Sequence, residues 1–117
     1  MTETDDPRRS AQRMAEAAFQ LAHSTRSLTR PSDSYVVLGE LLETQRAIEQ
    51  TLRQLAEWHR STSPGAHYAE GHEESALGVM TSVAELDLAA QQAEGLQETL
   101  ARAYGGNSVV HWFDSVD

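Results

Sequence analysis

The sequence predicts an all-α fold: an antiparallel up-down-up three-helix bundle with coiled-coil-like packing and a short C-terminal helical tail. Three observations carry that prediction. Apolar residues recur at alternating steps of three and four along three separate stretches, which places them on one stripe of an α-helix. Segments bearing proline or glycine separate those stretches. No stretch of any length alternates apolar and polar residues as a half-buried strand does.

Asp6 followed by Pro7 reads as a helix start, an acceptor at the cap and proline in the first turn. Helix 1 then runs over about 7–28 on a stripe of Ala11, Met14, Ala18, Leu21, Thr25 and Leu28. Phe19 lies off that stripe. Arg8, Arg9 and Arg13 crowd its N-terminal end, where the helix dipole disfavours cations. Pro31 stops this helix, and Ser32 or Ser34 caps the next. The connection is short, so the two helices are antiparallel neighbours.

Helix 2, about 34–60, is the stretch around which the chain is organised. Leu38, Leu41, Ile48, Leu52 and Leu55 form its stripe, Gln45 fills the one gap and His59 ends the series. Gly39 lies inside it and costs about 1 kcal/mol relative to alanine, while allowing another helix to come close. Ser61-Thr62-Ser63-Pro64-Gly65 ends helix 2, and the connection continues to His72. Helix 3, about 73–104, opens on Glu73 and Glu74, where the dipole favours acids. Val79, Val83, Leu86, Ala90, Ala93, Leu100 and Tyr104 mark its stripe, broadened by Ala89, Leu96 and Ala103. Gly105-Gly106 is expected to end it through a left-handed residue. In the tail, 107–117, Asn107 or Ser108 caps a short helix. Its apolar face is Val109, Trp112, Phe113 and Val116.

The 117 residues suffice for one domain. Hydrophobic residues are 39% and aromatics 6%, and much of the apolar share is alanine, which suits closely packed long helices. Without cysteine there is neither a disulfide nor a thiolate metal site. No apolar run approaches the roughly 20 residues of a membrane span, and Met1 to Arg9 lacks a signal-like apolar region, so a cytoplasmic protein is expected. Net charge is -9, and every basic residue is arginine. Residues 61–104 hold one arginine against seven acids, net -6. Such a surface repels phosphate, so no direct nucleic-acid binding is expected, and without a spanning apolar run no membrane is expected among the partners.

Five histidines raise the question of a metal. His59, His67 and His72 flank the second connection with Glu70 nearby, and imidazole and carboxylate are zinc ligands. Their spacing matches neither His-Glu-x-x-His nor paired Glu-x-x-His. The simpler reading is a solvated helix start, with no metal and no cofactor expected. Glu85 and Asp87 face different sides of a helix. No phosphate-cradling glycine loop, serine elbow or cysteine is present, so no enzyme is expected. Gln45 either fixes register in the seam or reaches water along its stem. Trp58 and His59 read as a plug at the end of helix 2. Trp112 and Phe113, with Val109 and Val116, either close the chain's own core or anchor a helix in a partner's groove.

These features point to a small acidic helical interaction or structural module, self-associating as a homodimer and presenting helical surfaces to a protein partner. One competing class is an accessory to nucleic-acid transactions of the mobile-element type, working through a partner or as an acidic surface in a basic groove. Another is a metal- or ligand-binding bundle.

Overall fold

Asp6 and Pro7 start the first helix as their chemistry dictates. The computed structural model describes residues 6–114. Helix α1, Pro7–Ser24, is capped by the Asp6 carboxylate, which accepts from the Arg8 N–H at 3.0 Å. Its end is loosened by hydroxyls that bond back to the preceding turn, Ser24 to the Gln20 carbonyl and Thr25 to that of Leu21. A 3₁₀ turn, Thr25–Ser27, follows. Helices α2, Pro31–Arg60, and α3, Glu73–Ser108, complete an all-α chain. Among the described residues there is no sheet, only an isolated bridge between Pro64 and Tyr68. No helix among them is long and apolar enough to cross a membrane.

Three boundaries differ from expectation, each for a physical reason. Pro31 begins α2 instead of merely stopping α1, because a proline in the first turn needs no N–H. Ser32 and Ser34 therefore lie inside α2 and are not its caps. Gly105 and Gly106 do not stop α3: neither has positive φ, and the helix continues to Ser108. Asn107 and Ser108 are thus consumed by α3 and cannot start a new helix. Val109 closes α3, and residues 111–114 are irregular. The expected tail helix is absent over them, and Val116 lies outside the described residues.

The chain divides into two compact units. One comprises the residues up to Ser34 together with those from Trp112 onward. Within it α1 has no buried residue, and only Leu21 of its stripe is half-buried. The other, Tyr35–His111, is an antiparallel hairpin of α2 and α3. Its core is thin: Leu42, Ala56, Ala90 and Ala93 are the buried residues, with Ala56 and Ala90 at 0% exposure. Alanines at the centre bring the two backbones together, and larger side chains close the seam above and below.

The loop between the helices, residues 61–72, is tied by its own backbone. Gly65 donates to the Tyr68 carbonyl at 2.8 Å, and His67 donates to that of Ser63 at 3.0 Å. Gly65 and Gly71 have φ of 85° and 75°, the left-handed region in which side chains are strained. His72 caps α3: its Nδ1 accepts from the Ser75 N–H at 3.1 Å. Replacing His72 with alanine is expected to cost about 1 kcal/mol, by analogy with other N-cap acceptors, whereas His72→Asn retains most of the stability. Thermal melts of the two variants check this.

Candidate interaction surface of the helical hairpin

Among the half-buried and buried residues of α2, Tyr35, Leu38, Leu42, Gln45, Glu49, Leu52, Ala56 and His59 form one line. Steps of three and four hold throughout. The matching line on α3 runs through Val79, Val83, Leu86, Ala90, Ala93, Gln97, Leu100 and Tyr104. The α3 line is the one its apolar residues mark, with Gln97 added. On α2 the covered line keeps Leu38, Gln45, Leu52 and His59 of the expected stripe and takes Leu42, Glu49 and Ala56 in place of Leu41, Ile48 and Leu55. Leu42 and Ala56 are buried, Leu41 and Ile48 are half-buried, and Leu55 is 43% exposed.

Polar groups occupy the middle of this seam. Gln45 is half-buried and its Nε2 donates to the Ala93 carbonyl at 3.3 Å. With its amide assigned by its neighbours, Gln97 donates to Glu49 Oε1 and accepts from Arg46 Nε, both at 3.0 Å. Arg53 continues the network, binding Glu49 at 2.9 Å and, across the hairpin, Glu94 at 3.1 Å. Arg60 reaches across to Asp87. That contact, ahead of the others, raises the Arg60 guanidinium above its ordinary range. Arg46, Arg53 and Arg60 recur every seven residues, a regularity in the sequence that marks the charged flank of the seam.

The opposite flank has another chemistry. Leu41, Ile48 and Leu55 each precede a covered residue of α2, and Ala89, Leu96 and Ala103 do the same on α3. In an antiparallel pair these two lines border the same side of the seam. Behind the α2 line lie Val37, Thr44, Thr51 and Trp58, so neither line carries a charge between Val37 and Trp58.

At the open end of the hairpin the Tyr35 and Tyr104 rings stack at 4.6 Å. A Cβ on Gly39 would sit 3.1 Å from the Tyr104 ring, so the glycine makes room for that side chain. The hydrogen bond with Tyr35, then burial, raises the Tyr104 hydroxyl above the usual phenol range.

At the loop end Trp58 is 56% exposed and is not a buried plug. Its ring meets His59 and His67 edge-on at 4.9 and 6.2 Å. His59 donates from Nδ1 to the Leu55 carbonyl at 2.7 Å. His67 Nδ1 accepts from the Ser63 N–H at 3.1 Å. The lone pairs of His67 and His72 at Nδ1 are thus committed to backbone N–H groups, which leaves the proton on Nε2. Metal binding at Nε2 would require the other tautomer and break both contacts. Glu70 turns towards Gly65 instead. Among the described residues no three of His, Cys, Asp or Glu converge as a metal site would require. An open groove of about 260 Å³ lies beside the loop, lined by Pro64, Tyr68, Ala69, His72 and Ala76, among others.

In the tail Val109 and Phe113 are 75% and 83% exposed, and Trp112 is 48% exposed. The residue that holds the tail is one the apolar pattern does not mark. Asp114 Oδ1 accepts from the Ser32 N–H at 2.8 Å, satisfying a donor in the first turn of α2. The hydrogen bonds from Ser32, aided by the charge of Arg30, hold the Asp114 carboxyl below the usual carboxylate range. A depressed folded value means the contact is intact above the ordinary carboxylate range and is lost as pH falls through the lower, folded value. The Ser32 amide proton, followed by NMR, is expected to shift only at those acidic pH values. In Asp114→Ala it takes the shifted position already at neutral pH.

Comparison of the chain with models of known families, with curated proteins and with solved structures finds no match.

Proposed function

We propose that this chain is a small acidic, non-catalytic protein–protein interaction module. It is built on a coiled-coil-like α2–α3 hairpin, and it self-associates. The observation that carries the reading is the difference between the two flanks of one seam. Ion pairs cross one flank at Arg53–Glu94 and Arg60–Asp87. The other leaves Leu55 and Leu96 at 43% and 49% exposure on uncharged lines. Contiguous exposed apolar surface on a chain of net charge -9 is the mark of a contact face. Trp112 and Phe113 in the tail are a second set of anchors for a protein partner. The polar layer of Gln45, Glu49 and Gln97 serves the same reading, since polar groups at seam positions fix register.

Light scattering over a concentration series tests self-association. A mass above the 12.9 kDa of one chain is expected at micromolar concentration. A monomeric mass at high micromolar concentration overturns self-association.

A further inference from the structure

The geometry points to a symmetric dimer in which two hairpins pack through this uncharged flank, α2 of one copy lying on α3 of the other, to make four helices around a new core. It rests on the reading of the chain as self-associating and adds the face and the arrangement.

Three features select a second copy as the occupant. The first is shape. A twofold interface brings the same patch together with itself, so the patch must be self-complementary. Here α2 offers a ridge of Leu41, Ile48 and Leu55, while α3 offers Ala89, Leu96 and Ala103, two of them small. Laying the ridge of one copy on the small residues of the other fills both, whereas α2 on α2 sets ridge against ridge. The second is charge. Copies of a chain at -9 repel each other, and the repulsion is least where the α2 lines from Val37 to Trp58 carry no charge and the α3 side carries Glu85 at its loop end. The third is size. The flank runs about 32 Å along α2 and about 21 Å along α3, roughly 500 Å² per copy and about 1,000 Å² in all. That is about the smallest area expected of a specific interface, roughly 1,000 Å².

Ile48 and Leu96 lie near the middle of the flank and supply the test. Ile48→Glu and Leu96→Arg are each expected to weaken the dimer by about a hundredfold or more, because each places an unpaired charge in the new core. Ala47→Glu, on the far side of α2, leaves the dimer unchanged. Circular dichroism establishes that each variant remains helical. Mixing Ile48→Glu with Leu96→Arg sets opposite charges against each other across the interface, and the mixture regains twice the mass of one chain. A wild-type dimer that survives Ile48→Glu overturns this face and leaves self-association standing. Two monomeric variants that remain monomers when mixed overturn the α2-on-α3 arrangement. A wild-type monomer overturns both.

Discussion

Ala90→Leu is expected to destabilise the hairpin by about 1–3 kcal/mol, the usual cost of forcing extra methylenes into a packed site. Ala90 has 0% exposure and lies on α3 between Asp87 and Ala93, which are bonded across the hairpin to Arg60 and Gln45 of α2. A leucine there can be accommodated only by separating the helices. Separation lengthens the Gln45–Ala93 hydrogen bond and pulls Arg53 away from Glu94. The melting midpoint falls by roughly 4–8 °C for each kcal/mol in a unit of this size. Ala47→Leu, on the exposed side of α2, is the control and changes the midpoint little. If both variants melt like the parent, the alanines are not what sets the spacing of the helices.

The second large effect has the opposite sign. Gly78→Ala and Gly95→Ala are each expected to stabilise the chain by about 1 kcal/mol, and together by about 2 kcal/mol. Both glycines sit in the interior of the 36-residue α3, neither has positive φ, and an added Cβ at either meets nothing within 4 Å. The gain is that of helix propensity with no steric opposition. Gly39→Ala supplies the contrast, because the same propensity gain is opposed by the Tyr104 ring at 3.1 Å. Urea denaturation of the three variants separates the cases: higher midpoints for Gly78→Ala and Gly95→Ala, and a smaller or reversed change for Gly39→Ala.

The two α2 lines show why the all-α architecture was legible in the sequence while the contact face was not. Steps of three and four identified all three helices, because periodicity depends only on backbone geometry. On α3 the covered line is apolar nearly throughout, so its identity and its burial agree. On α2 the covered line contains Gln45, Glu49 and Ala56, while Leu41, Ile48 and Leu55 flank it. Ranking residues by hydrophobicity therefore selects Ile48 and Leu55 over the neighbouring seam residues Glu49 and Ala56. At position 56 the small side chain is what the seam buries, Ala56 being fully covered together with Ala90 on α3. The tail misled in a different way. Val109, Trp112 and Phe113 have helical spacing, but periodicity cannot show that Gly105 and Gly106 stay helical and move the end of α3 onto Val109. Nor does it mark Asp114, whose role depends on a donor at Ser32, far away in sequence.

The self-bonded loop also sets an order of events in time. Residues 61–72 hold their own turn, so the ends of α2 and α3 next to it meet at small loop-closure cost. Pairing is then expected to proceed away from the loop, Arg60 with Asp87 before Arg53 with Glu94 and the Tyr35–Tyr104 stack last, a sequence that φ-values at these contacts would check. A hairpin that zips in this way has its transition state near the loop. Substitutions beside Gly65 or His72 then change chiefly the rate of folding, and substitutions in the tyrosine stack change chiefly the rate of unfolding.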